Sequence, residues 1–311
     1  MKHPKPIVVI SKCIEFSKCR YNGSMVISHA VQHLKKHVKF VTVCPEQEIG
    51  LKTPRHTLRI VKSKGKKRLY QPDTKKDFTK KMQDFTRKYL SNLDVDGFIL
   101  KYRSPSCGPK QVKVYNGLGK NVKITKGNGF FGGEVLKKFS NLAIEDEGRL
   151  RNFIIREHFL TKLFTLARFR KAKKSVKKLK AFHDTHRLLL MAHSQARLKI
   201  LDKLAEKGDL REYENELKKA LENTPKFTSI INVLYNAFGE VSHGLSAKEK
   251  KFFLKTVEEY RNGKTPLSTA IHLLKTHAIR FDKKHLLEQV FLEPFPPELA
   301  EITDSGKGRD L

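Results

Sequence analysis

Apolar residues follow two rhythms along this chain. In the first half they gather in short runs, Ile7-Val8-Val9-Ile10, Val38 to Val43, Leu58 to Val61 and Phe98-Ile99-Leu100. Each run is too short for a helix and most are rich in β-branched side chains, so each predicts a strand. Between the runs, Val26, Ala30, Val31 and Leu34 recur at helical spacing and predict a helix over residues 25–36. Phe78, Met82, Phe85 and Leu90 do the same over 73–93. Gly127-Asn128-Gly129-Phe130-Phe131-Gly132-Gly133 lacks the spacing of a dinucleotide or Walker loop and reads as a turn into a helix over 134–139. Leu142-Ala143-Ile144 predicts a short last strand. The resulting order, β-α-β-β-α-β with short connections, predicts a Rossmann-like three-layer α/β domain over residues 1–148.

From Arg149 onward the rhythm is helical. Leu150, Phe153, Ile154, Leu160, Leu163, Phe164 and Ala167 mark a long helix, and a basic run from Lys171 to Lys180 leads to a second. Breaks at Gly208, Thr224-Pro225, Gly239, Gly244, Gly263 and the prolines Pro294, Pro296 and Pro297 separate further helices, so residues 149–311 predict an all-α domain. His183 and His186 stand about one turn apart on the second helix, as a pair that is packed or RNA-facing, or a metal pair.

Three strand ends carry a thiol. Ile7 to Ile10 empties into Ser11-Lys12-Cys13, Val38 to Val43 into Cys44-Pro45-Glu46, and Phe98 to Leu100 into Lys101-Tyr102-Arg103-Ser104-Pro105-Ser106-Cys107-Gly108. Ligands of open α/β sheets bind beyond the carboxyl ends of strands, so these thiols are placed to converge; the alternative is three small buried hydrophobes at a core rim. Four cysteines, unclustered, without a signal-peptide core or an apolar stretch of about 20 residues, point to thiol or metal chemistry in the cytoplasm.

Charge narrows the partner. The net charge of +32 far exceeds what solubility requires and points to a polyanion, nucleic acid first. Residues 1–150 hold 32 basic against 12 acidic side chains, a net of +20, which leaves +12 for the remainder. A polyanion therefore runs across both halves.

Ser11-Lys12-Cys13 with Arg20-Tyr21-Asn22-Gly23, Cys44-Pro45-Glu46 with Gly50 and Pro54-Arg55, and Arg103-Ser104-Pro105-Ser106-Cys107-Gly108 resemble the thiouracil desulfurase (TudS) family. The helical half, with Arg149-Leu150-Arg151-Asn152-Phe153 and Phe182-His183-Asp184-Thr185-His186, is similar to the YbgA-type domain fused to it in some members. The resemblance implies a 4Fe-4S cluster held by Cys13, Cys44 and Cys107 with one iron open; Cys19, at a site the family fills variably, reads as a nearby thiol outside the ligand set, the alternative being a fourth ligand that would close the cluster. Fusions of this kind are similar to the RudS tRNA 4-thiouridine desulfidases, which implies tRNA as partner, a thiolated uridine or uracil as substrate, and release of sulfide without net electron transfer.

The residues add roles to that chemistry. Glu46, two positions from a ligand, is the candidate general acid/base, and Ser104 and Ser106 are candidate hydrogen-bond donors to the base or the departing sulfur. Glu46 as a mere first-turn helix carboxylate is the alternative. The competing functions are an RNA-binding or redox-sensing protein with a structural cluster, and a desulfurase of free thiouracil. The cysteine spacing fits neither the compact Cys-x3-Cys-x2-Cys group of radical S-adenosylmethionine enzymes nor a zinc knuckle.

Overall fold

Ile7-Val8-Val9-Ile10 and Phe98-Ile99-Leu100 hold no polar residue to present to water, and both become strands buried on two faces. The structure, a computed structural model, describes residues 3–63, 65–119 and 121–300. It divides into two compact units, Pro4–Ala167 with the segment from Pro296 onward, and His3 with Arg168–Phe295.

In the first unit the chain runs β1 (Ile7–Ser11), α1 (His29–Leu34), β2 (Lys39–Val43), α2 (Pro45–Glu48), β3 (Arg59–Ser63), β4 (Lys66–Gln71), β5 (Lys76–Asp77), α3 (Thr79–Ser91), β6 (Gly97–Leu100), β7 (Val112–Tyr115), β8 (Ile124–Gly127), α4 (Phe130–Phe139) and β9 (Ala143–Asp146). β2, β1, β6 and β9 lie side by side in that order, all parallel. Val9, Val43, Phe98 and Leu100 face Leu90 of α3 and Phe131 and Val135 of α4 across one core. On the opposite face Leu163 lies against Gly97, so the long helix α5 (Phe153–Ala172) covers that side. The α/β three-layer expectation holds. The chain reverses direction across the sheet at β1, stepping first to β2 and then to β6, and the crevice at such a switch point is where a ligand site belongs.

The apolar run at 58–61 does not join this sheet. It becomes β3 of a second, five-stranded sheet ordered β5-β4-β3-β7-β8. Its exposed Arg59, Lys62 and Ser63 suit a sheet with solvated edges rather than a doubly buried parallel one.

Three helix boundaries differ from the periodicity. Residues 73–93 form a helix only from Thr79, because β5 pairs with β4 and the Asp77 carboxylate accepts the Thr79 N–H at 2.8 Å. The helix expected over 25–36 shrinks to α1 because Val26 is drawn into a bridge with Ile14. The helix expected over 134–139 begins at Phe130, for a reason that belongs to the site.

The second unit is all-α as expected: the end of α5, then α6 (Val176–His193), α7 (Gln195–Lys207), α8 (Leu210–Ala220), α9 (Phe227–Ser242), α10 (Ala247–Arg261), α11 (Leu267–Arg280) and α12 (Lys284–Leu287). Gly239 does not break a helix: α9 runs through it to Ser242, held by its apolar face, and Val233, Leu234 and Ala237 of α9 meet Phe253 and Val257 of α10 and Leu274 and Ala278 of α11 in the core. Ser175, Ser194, Asp209 and Ser246 cap helix N-termini with their side chains. Among the described residues no helix is long and apolar enough to cross a membrane. His183 and His186 are both buried. His183 bridges Tyr213 Oη at 3.0 Å and Asp202 at 2.8 Å, so the pair is packed into the helical core.

Candidate active site

The three thiol-bearing strand ends meet. A cavity of about 270 Å³ at the carboxyl edge of the parallel sheet is lined by Cys13 after β1, Cys44 after β2 and Cys107 beyond β6, together with Cys19, Glu46 and Ser104. Ser11 ties two of these ends together. Its Oγ accepts the Lys101 N–H at 2.9 Å.

Cys107 and Cys44 are buried and Cys19 is 1% exposed. Burial pushes the Cys107 thiol well above the usual range, with Ser11 opposing. A hydrogen bond with Cys19 and then burial raise Cys44. Cys19 is raised chiefly by its hydrogen bond with Cys13, against its bond with Cys44. Cys19 thus shares the cavity with two of the expected ligands and bears on the ionisation of Cys44, a relation the spacing along the chain did not disclose.

Glu46 enters from α2, whose first residue Pro45 is preset for a helical start. Arg55 grips it as a buried ion pair: Nη2 and Nε both donate to Oε2, the latter at 2.8 Å. A third contact, Arg55 Nη2 to the Cys19 carbonyl at 3.1 Å, fixes the guanidinium against the Cys19 loop. The other carboxylate oxygen accepts from Ser106 Oγ at 2.9 Å. Ser106 is itself fully buried, behind the cavity wall, so it reaches the cavity only through Glu46. Ser104 does line the cavity, and its Oγ accepts the N–H groups of Ser106 at 3.2 Å and Cys107 at 3.1 Å. A hydroxyl has one proton to give, and both of these bonds leave it free to point inward.

The glycine-rich stretch is the seat of the Cys107 loop. The N–H groups of Gly129, Phe130, Phe131 and Gly132 donate to the carbonyls of Gly108, Pro105 and Ser106 at 2.8–3.1 Å, which starts α4 four residues early. A Cβ at Gly132 would sit 2.3 Å from the Cys107 carbonyl oxygen, and one at Gly129 would sit 2.5 Å from that of Ser106. Glycine is required here because two backbones touch.

Two positioning residues carried no role in the sequence reading. Arg55 was visible only as part of a Pro-Arg pair. Glu147, in an acidic run at the end of β9, pairs with Lys101 and accepts the Tyr102 N–H at 2.7 Å, holding the start of the loop. A carboxylate just past a strand end is the one signal that pointed to it.

Residues 8–147 match the model of the 2-thiouracil desulfurase family, and residues 187–296 match a protein family of unknown function, DUF1722. YbbK of Bacillus subtilis (strain 168), uncharacterized, is 33% identical over 129 residues, 38% of this chain and 83% of that protein. The chain belongs to the 2-thiouracil desulfurase family. A solved structure described as the 4Fe-4S-dependent thiouracil desulfidase TudS is similar with a TM-score of 0.37 and 22% identity, covering 47% of this chain and 93% of that one.

The donor set suits an iron–sulfur group. Three soft sulfur donors from separate strand ends share a cavity with room for a polyatomic group. The thiols at Cys44 and Cys107 resist ionisation by themselves, and a bound cationic centre is what makes such thiols thiolate.

Proposed function

We propose that this protein is a desulfidase that replaces the sulfur of a thiolated uracil ring by oxygen, that its substrate is 4-thiouridine within tRNA, and that a 4Fe-4S cluster held by Cys13, Cys44 and Cys107 is its cofactor. The observation that carries the reading is the convergence of these three thiols with Glu46 on one cavity, in a chain of this family. Three protein ligands leave one iron of such a cluster open, and when bound it supplies a Lewis acid for the thiocarbonyl sulfur. Overall, ring C=S and one water become C=O and hydrogen sulfide, with no net electron transfer.

The chain's own residues hold and move the protons. Arg55 orients Glu46, whose carboxylate faces the cavity at the height of the Cys44 loop and is placed to take a proton from the entering water. Ser106 steadies the second oxygen by donating its hydroxyl to it. Ser104 offers its free O–H to the ring or to the departing sulfur. Residues 1–148 form the desulfidase domain in this reading and residues 149–311 supply RNA affinity, with the charge of +32 holding the phosphate backbone while the base is turned out of its stack. The four free cysteines suit the reducing cytoplasm.

Protein purified and reconstituted without oxygen should bind iron and sulfide stoichiometrically, lose them on Cys107→Ser, and bleach the 4-thiouridine absorbance of tRNA while releasing sulfide. Iron-loaded protein that leaves both thiolated tRNA and free thiouracil intact would overturn the reading. Turnover of free thiouracil alone would move the substrate from RNA to the base.

A further inference from the structure

A second concavity in the first unit has no part in the site above. It measures about 1030 Å³ and runs between α3 and α4 beneath the β3–β4 hairpin. Its size is at the upper end of the roughly 300–1,000 Å³ of ordinary small-molecule sites, and seven of its lining side chains are basic against two acidic. Lys66 and Lys67 come from β4, Lys80 and Arg87 from α3, and all four are exposed. None of the four has a carboxylate partner within ion-pair distance among the described residues. The other lining cations are engaged, Arg68 with Asp77 at 3.3 Å, Lys137 with Glu134 at 2.6 Å, and Lys138 with the Leu90 carbonyl at 2.7 Å.

Like charges left unneutralised around one groove repel one another, and that arrangement is stable when an anion of matching extent fills it. Thr86 adds a second observation. It lines the groove, is 2% exposed, and its hydroxyl has no hydrogen-bond partner among the described residues, although a buried hydroxyl ordinarily finds one. Asn128 and Gly129 are part of its lining, and Gly129 is pressed against the Ser104 and Ser106 carbonyls of the loop that carries Cys107.

We propose, building on the RNA-borne substrate above, that this groove holds a sugar–phosphate backbone of the RNA, with Lys66, Lys67, Lys80 and Arg87 on its phosphates. A continuous polyanion satisfies all four cations at once, which a single small anion does not. A membrane surface would call for apolar side chains ready to insert, and the lining offers none that is exposed. The strand so held passes the rear of the cysteine loop, close to where the target base must be turned out.

The test is the fourfold variant Lys66→Ala, Lys67→Ala, Lys80→Ala, Arg87→Ala in the full-length chain, with a Lys-to-Arg version of the three lysines as the charge-preserving control. Affinity for unmodified tRNA is measured as salt is varied, alongside turnover of free 4-thiouridine nucleoside by the reconstituted protein. The alanine variant should bind tRNA roughly 10²-fold more weakly and lose about 3 to 4 from the log–log salt slope, at about 0.9 per phosphate contact. Nucleoside turnover should stay unchanged and the arginine version should bind as the parent does. If the alanine variant binds tRNA as tightly as the parent, the groove is not the interface and the desulfidase reading stands. If the parent itself does not bind tRNA yet turns over the nucleoside, the RNA-borne substrate falls and the groove assignment with it. Retention on anionic phospholipid vesicles that needs the four residues, without tRNA binding, would assign the groove to a membrane instead.

Discussion

Glu46 is held from both sides, Oε2 by Arg55 and Oε1 by Ser106, so its carboxylate has one orientation toward the cavity. Glu46→Gln keeps the shape and removes the proton acceptor. It should retain iron and tRNA affinity and lower single-turnover desulfuration by roughly 10²–10⁴-fold, the scale of a lost general acid/base. An iron-loaded variant with near-parental turnover would pass the role to Ser104 or a bound water. Arg55→Met strands a carboxylate whose side chain is only 14% exposed, and should lower stability by about 3–5 kcal/mol, read from the denaturant midpoint. His186 gives a pH dependence in the helical unit. Burial and then the Arg168 charge hold its imidazole at about 3, against 6.5 for a free ring. Its Nε2 has no partner among the described residues, while Nδ1 lies 2.7 Å from the Phe182 carbonyl. The folded ring therefore stays neutral until about pH 3, whereas the unfolded chain takes up a proton below about 6.5. Its contribution is complete above about 6.5 and declines as pH falls toward 3, at about 1.4 kcal/mol per unit. Stability of His186→Gln followed by far-UV circular dichroism should fall less over that window than stability of the parent; an identical slope would refute the assignment.

At the scale of the element, α4 and the Cys107 loop are one device. The first turn of a helix leaves N–H groups without partners, and here they are satisfied by loop carbonyls, which sets the thiol's position through backbone alone. Gly132→Ala should force the loop away, lowering stability by about 1–3 kcal/mol and reducing the iron retained on reconstitution. Gly133→Ala is the matched control, since its Cβ would meet only the Asn128 Cβ at 3.3 Å, and it should leave both readouts near parental values. The glycines were evident in the sequence as a turn. Their purpose was not, because the partner carbonyls lie some 25 residues earlier in the chain and nothing local marks the contact.

At the scale of the whole molecule, positive charge is spread over both halves, and under the proposed function the salt dependence of tRNA binding measures how much of it meets phosphate. α5 covers one face of the parallel sheet up to Leu163, so a truncation meant to isolate the thiol-bearing unit should end at Ala167 rather than at residue 148. That truncation should bind tRNA more weakly and with a flatter salt slope, because fewer phosphates are neutralised. Unchanged binding would confine the RNA to the first unit.

The sequence by itself determined the α/β-then-α order, the central strands, and the thiols at their ends. Doubly buried parallel strands need uninterrupted apolar runs, and the chemistry-bearing residues must follow where those runs stop. Local periodicity cannot choose among sheets that share a hydrophobic pattern, so only the tertiary structure decided that residues 58–61 belong to a second sheet. It alone decided that Cys19 joins Cys13 and Cys44 at one cavity, that Arg55 and Ser106 clamp Glu46, and that Ser106 stands behind the cavity rather than in it. Each of these depends on which side chains meet across distant segments, and hydrogen bonds and close approaches of that kind leave no trace in the spacing of residues along the chain.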